Sequence, residues 1–160
     1  MSDPDDGREL PDGAGDALQH YIDTQHEFLS WLGVEVDELA YGRAVMSIPY
    51  QSKLTNVPWT GSEEGVRHPI QGGVASTLID VTGGMALRGH LDDVVEDGMA
   101  TINLNVNYLE QATGDLTATA EVVRAGNTVG VSEVLLESRT PDGEVEPVAV
   151  GTGAYRLFRS

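Results

Sequence analysis

Apolar residues change their spacing several times along the chain, and each change marks a new element. Leu18, Tyr21, Ile22, Gln25, Phe28, Leu29 and Leu32 recur at helical spacing. Asp16 can cap the start of this run and Gly33 its end, so the pattern predicts a helix over about 17–32. From Val34 to Ile48 the residues alternate loosely around Tyr41-Gly42, as in a hairpin. A long polar stretch follows, SKLTNVPWTGSEEGVRHP, of a length that in a small domain marks a functional or mobile loop.

Between Gln71 and His90 the apolar residues Val74, Ala75, Leu78, Val81, Met85 and Ala86 fall on one side of a helix that is nearly all core-facing. Gly83 and Gly84 inside it cost about 1 kcal/mol each relative to alanine, so something must pack close to the backbone there, either a sheet or a second subunit. Four strands are predicted beyond it, Ala100 to Leu109, Leu116 to Arg124, Thr128 to Glu137 and Val145 to Leu157, separated by the turns QATGD, AGN and TPDGE. An apolar helix followed by an antiparallel meander needs the sheet to wrap around it. The expected class is therefore α+β with one central helix.

At 160 residues the chain is expected to form one domain over 16–160, behind a disordered acidic leader over 1–15 that has little to bury. The first residues are acidic and no apolar run is long enough to span a bilayer, so a cytoplasmic protein with no membrane partner is expected. The absence of cysteine excludes a disulfide scaffold, a thiolate metal site and a cysteine nucleophile. No metal site is expected.

The formal net charge is −17, with 26 acidic against 9 basic residues, and Lys53 is the only lysine. A field of that sign repels nucleic acid. It fits a halophile's protein, because roughly 1 M salt cuts the Debye length to about 3 Å.

The segment with chemistry in it is Gln71-Gly72-Gly73 followed, after six residues, by Asp80. Glycines at a helix start let a ligand approach backbone N–H groups that lack intrahelical partners, and the helix dipole favours negative charge there. Such a place can hold a carbonyl oxygen as it becomes an oxyanion. Asp80 lies in an otherwise apolar helix, where it is either a packing residue bonded to backbone or to Thr77, or a general base or nucleophile. Gly72 and Asp80 are eight residues apart, so about 12 Å of helix separates them. One reacting carbon cannot touch both. Two antiparallel helices across a twofold axis would bring Gly72 of one chain beside Asp80 of the other, so a homodimer or a dimer of dimers is expected.

The stretches QGGVASTLID, ATINLNVNYLEQATGDLTATAEVVRAGNTVGVSEVLL and VAVGTGAYRLF, together with FLSWLG, resemble the phenylacetate-pathway hotdog thioesterases over roughly residues 17 to 158. That family carries His-Gly-Gly with an acidic residue seven positions after the second glycine, where this chain has Asp80. The resemblance implies a hotdog fold and hydrolysis of acyl-CoA, with CoA as part of the substrate and no separate cofactor. It implies further that Gly72 donates its N–H to the thioester carbonyl, that Asp80 is the catalytic carboxylate, and that Thr101 matches a hydroxyl residue that orients water.

Two departures stand out. Gln71 replaces the histidine; its amide can donate a hydrogen bond but cannot titrate. The asparagine expected six residues before it is missing, with Gly65 at that spacing, Asn56 as a substitute if the loop carries an insertion, and His68 as a nearby imidazole or a plain loop residue. Gly73 shares the helix start, and Trp59 is a pocket-lining candidate. Arg124 and Asn127, at the AGN turn, lie where the resembling enzymes contact the nucleotide end of CoA; a solvated strand-end arginine is the other reading of Arg124.

In TINLNVNYL, Thr101, Asn103, Asn105 and Asn107 alternate with Ile102, Leu104, Val106 and Tyr108, which puts Thr101 on the asparagine face. The GxG at Gly151 to Gly153 sits within a strand and reads as close packing, with no dinucleotide role. Loss of the histidine leaves a non-catalytic acyl-CoA-binding module as an alternative. An acyl-CoA hydratase would need an Asp-His pair at the helix start, which is absent.

The charge yields a prediction. The melting temperature should rise steadily between low and molar KCl as self-repulsion is screened. A melting temperature indifferent to salt would contradict adaptation to brine.

Overall fold

A computed structural model describes residues 7–56 and 65–160. Trp59 and the first six residues of the expected leader lie outside the described residues. The first helix starts at Ala14, ahead of the expected 17, and is two helices: α1 (Ala14–Gln25) and α2 (Glu27–Leu32). His26 separates them with a non-helical backbone, and its Nδ1 accepts the Leu29 N–H at 3.3 Å, so the imidazole caps the second helix. Leu18, Ile22, Leu29 and Leu32 are buried, whereas Tyr21 and Phe28, expected on the same face, are exposed. Gly33 ends α2 in the left-handed region, φ 78°, as its sequence position suggested.

The hairpin forms as expected, β1 (Glu35–Ala40) and β2 (Arg43–Ile48) turning at Tyr41-Gly42. The helical pattern after Gln71 resolves into α3 (Gly72–Ala86) and a short 3-10 turn, Arg88–His90. Four strands follow, β3 (Gly98–Tyr108), β4 (Leu116–Ala125), β5 (Val129–Arg139) and β6 (Val145–Phe158).

Their order is not a simple meander. The antiparallel sheet runs β1-β2-β4-β5-β6-β3, so β3 leaves its sequence neighbour β4 and forms the edge beside β6. The reason is α3 itself, which leaves β2 and enters β3. Those two strands flank the helix, and the long β4-β5-β6 unit fills the sheet between them and covers it.

The inner face of the sheet is built from small and branched residues. Ala44, Met46 and Ile48 of β2, Leu116, Ala118 and Ala120 of β4, and Val134 and Leu136 of β5 are buried, with Ala75, Leu78 and Ile79 of α3 in the same core. Each fully buried Leu, Ile or Met contributes roughly 1.5–3 kcal/mol. The alanines let α3 sit low on the sheet.

Closest approach comes at the glycines. A Cβ on Gly83 would run into the Tyr155 hydroxyl and lie 3.0 Å from Ser132 Oγ, and one on Gly151 would lie 2.6 Å from Ile79 Cγ2. The partner inferred for Gly83 and Gly84 is therefore the sheet of the same chain, and the GxG of β6 is close packing. In exchange the sheet supplies hydrogen bonds: Ser132 Oγ donates to Gly83 O at 2.7 Å and the Tyr155 hydroxyl to Asp80 O at 2.8 Å.

Gly83→Ala should accordingly destabilise the fold by about 1–3 kcal/mol, reversing the gain of about 1 kcal/mol that helix propensity alone would give. Urea unfolding checks this, and part of the loss should disappear in a Tyr155→Phe background, where the clashing hydroxyl is gone.

Candidate active site

The start of α3 is shaped by Gln71. Its backbone is extended, φ −62° and ψ 133°, and its Oε1 accepts the Gly73 N–H at 2.5 Å. Only the amide oxygen can accept, so Nε2 is turned away from Gly73, and its two N–H groups have no partner among the described residues. Gly72, as the first helical residue, has an N–H without an intrahelical acceptor. The helix start therefore offers one free backbone donor and one free amide donor, while Gly73 N–H is occupied.

The entry to α3 is held by backbone bonds. Gln71 N donates to Leu54 O and Asn56 N to Pro69 O, each at 2.9 Å, around an isolated bridge between Thr55 and Ile70. Asn56 is thereby brought across from Pro69, next to His68, and the three-residue entry His68-Pro69-Ile70 runs straight into Gln71. Tyr50 donates its hydroxyl to His68 O at 2.8 Å. The backbone of Asn56 is thus paired to the helix entry at Pro69, whereas Gly65 makes no such bond among the described residues.

Two turns into α3, Asp80 is half-buried and bonded from the sheet. Thr101 Oγ1 donates to Asp80 Oδ1 at 2.8 Å. Thr77, the alternative partner, donates instead to Gly73 O at 2.7 Å. Beneath the carboxylate, burial foremost and the Asp80 charge next push the Tyr155 phenol far above its ordinary pKa. Tyr155 is therefore a permanent donor to the Asp80 main chain.

Thr101 reaches Asp80 through a bulge. Asn103, Asn105 and Asn107 pair with Ala154, Thr152 and Val150, which face away from α3, while Thr101 pairs with Tyr155, which is buried beneath it. The register shifts between Thr101 and Asn103, leaving Ile102 as the extra residue. Strict alternation put Thr101 on the asparagine face; the bulge corrects this and turns it inward.

β3 runs antiparallel to α3, and its far end meets the helix start. The Tyr108 hydroxyl donates to Gly72 O at 2.8 Å. Neither Tyr108 nor Tyr155 stood out in the sequence, since each fills an ordinary apolar-face position of a strand. Their only signal was a hydroxyl that had to find a partner.

Arg124 and Asn127 lie at the β4-β5 turn. Register links Thr101 to Tyr155, Tyr155 to Gly130 and Gly130 to Ala125, three strand steps or about 14 Å. Arg124 is exposed and has no ion pair among the described residues, whereas Asn127 O accepts Arg159 Nε at 3.0 Å. The structure thus separates the sequence-derived residues into a helix-start group, a group around Asp80, and this turn. No cluster of side chains able to hold a metal ion occurs among the described residues.

The family model described as Thioesterase superfamily matches residues 70–144, from the entry of α3 through β5. A Halobacterium salinarum protein named "Putative esterase" is 48% identical over 150 residues, 92% of this chain and 95% of its own length. The medium/long-chain acyl-CoA thioesterase YigI of Escherichia coli is 35% identical over 100 residues, 55% of this chain and 62% of that protein. A solved thioesterase family protein from Silicibacter pomeroyi superposes with a TM-score of 0.74 at 26% identity, covering 91% of this chain and 98% of that one. The chain belongs to the Thioesterase superfamily and has its hotdog fold.

The bond from Thr101 makes a testable difference between two substitutions. Thr101→Val, which keeps the shape and loses the donor, should lower turnover of a hydrolysable thioester by about ten- to a hundredfold, while Thr101→Ser stays within about threefold.

Proposed function

We propose that the protein hydrolyses acyl-CoA thioesters to free acid and CoA, as a member of the phenylacetate-type subgroup. The observation that carries this reading is the Thr101-Asp80 bond, by which the sheet orients a carboxylate in the middle of α3 while a free N–H waits at the helix start. The medium/long-chain acyl-CoA thioesterase named above supports the substrate class.

In the reaction Gly72 N–H, with Gln71 Nε2 beside it, receives the thioester oxygen as it becomes an oxyanion. Asp80 takes a proton from water whose oxygen attacks the carbonyl carbon. Collapse of the tetrahedral intermediate breaks the C–S bond, and the thiolate leaves as free thiol with the proton that Asp80 took from water, which restores the carboxylate. If Asp80 attacks directly, an acyl anhydride forms and water cleaves it afterwards. Thr101 holds the carboxylate in either route. Arg124 and Asn127, about 14 Å from Thr101 across the sheet, offer the nucleotide end of CoA a cation and an amide in an otherwise acidic protein.

The site is completed by a second chain. Asp80 sits by the Thr101 end of β3 and Gly72 by the Tyr108 end. β3 is an edge strand of 11 residues. If two such edges pair antiparallel about a twofold axis near Leu104 and Asn105, Thr101 of each chain lies opposite the partner's Tyr108. Asp80 then lies near the partner's Gly72, and the 12 Å separation along α3 ceases to matter.

Thiol release from a panel of acyl-CoAs in molar KCl tests the activity. Asp80→Asn should lower it at least about a hundredfold with the fold intact. Mixing Asp80→Asn chains with Gly72→Pro chains, each nearly dead alone, should restore up to about a quarter of wild-type activity, because half the dimers are hybrid and one of their two sites carries no lesion. A mixture as dead as its parents, despite subunit exchange and folded chains, would mean that each site is completed within one chain.

A further inference from the structure

The helix start offers an oxyanion only one rigidly placed donor, the Gly72 N–H, beside the amide of a long side chain. An oxyanion is commonly held by two or more donors, and here the second backbone N–H, that of Gly73, is taken by Gln71 Oε1. Gly72 N–H and the Gln71 amide remain, the latter on a flexible, exposed side chain.

Against this same residue lies a phenol. A Cβ on Gly72 would be 3.4 Å from Tyr108 Cζ and 3.5 Å from its hydroxyl, so the ring and hydroxyl rest directly on the first residue of α3. Tyr108 is 55% exposed, too open to serve mainly as core. Its hydroxyl donates to Gly72 O at 2.8 Å, but that carbonyl also accepts the N–H four residues on as part of the helix, so it stays satisfied if the hydroxyl turns away. The hydroxyl is thus a donor parked on an acceptor that does not depend on it.

We propose that Tyr108 is a further catalytic residue, whose hydroxyl turns from Gly72 O to the thioester oxygen and supplies a second rigidly placed donor. This rests on the acyl-CoA reading above and on the paired β3 edges, which would set Tyr108 between Gly72 of its own chain and the partner's Asp80. No bond is made or broken by the phenol: it keeps its proton and donates one hydrogen bond, stronger to the oxyanion than to the resting carbonyl. Rigid placement at the end of a strand suits such a donor better than the long side chain of Gln71 does.

The test is Tyr108→Phe, which keeps the ring against Gly72 and removes only the hydroxyl. Turnover should fall about thirty- to a hundredfold with KM raised no more than about fivefold and the melting temperature unchanged, the pattern of a donor used mainly in the transition state. Binding gives a second readout that a structural role would not move. A dethia acyl-CoA analogue, with CH2 for sulfur and its carbonyl intact, should bind about fivefold more weakly to the variant, the value of one hydrogen bond of about 1 kcal/mol. An S-alkyl-CoA thioether, which has no carbonyl, should bind both proteins equally. Wild-type turnover in Tyr108→Phe, or equal losses for the two analogues, would overturn the proposal. Should the wild type cleave none of the acyl-CoAs, the acyl-CoA reading falls separately, and the analogue pair still decides whether Tyr108 meets a carbonyl.

Discussion

Everything in this structure depends on how closely α3 lies on the sheet. Gly83 and Gly84 on the helix, and Gly130, Gly151 and Gly153 on the strands, leave room that Leu87, Ile79 and Tyr155 fill. Because the helix is so low, hydroxyls of Ser132 and Tyr155 reach main-chain carbonyls of α3 that an ordinary helix-sheet spacing would hide. One of those carbonyls belongs to Asp80. The packing that stabilises the core therefore also fixes the height and rotation of the carboxylate, and Thr101 needs only to reach across to it from the neighbouring strand.

Elements with strong local signals were legible from the residues alone. The four late strands have turn residues at both ends and end within two residues of the expected positions, and glycines inside an apolar helix correctly announced a close neighbour. What was hidden is non-local. Nothing in the spacing of β3 and β4 says that they part company, because strand order is decided by where α3 crosses. The break at His26 was hidden for another reason: the apolar period continues through it, and only the imidazole's bond to Leu29 N shows that a cap competes with the helix there.

The site was half visible. Gly72 and Asp80 follow from helix-start chemistry and from a carboxylate out of place, and their separation alone argued for two chains. Thr101 was chosen on resemblance, against an alternation that pointed it the wrong way. Tyr108 and Tyr155 were invisible because a tyrosine on the apolar face of a strand reads as core until its hydroxyl is seen to end on a helix carbonyl.

The bulge at Ile102 divides β3 into two lengths of strand that are out of phase with each other. On one side the inward position is Thr101 beside Asp80; on the other the inward positions belong to Leu104, Val106 and the wall against α3. Substitution in either length leaves the phase of the other untouched, so the Thr101 end and the packing end can drift independently. Loss of Ile102 would bring them into step with Thr101 still opposite Tyr155, whereas pairing Ile102 with Tyr155 as an ordinary ladder residue would do so at the expense of Thr101. In that second case the asparagines and the inner apolar face would keep their places, Thr101 would move opposite Arg156 on the outer surface, and the Asp80 carboxylate would lose its donor. In such a scaffold a carboxylate keeps or loses its partner according to whether one residue of strand is left out of the ladder.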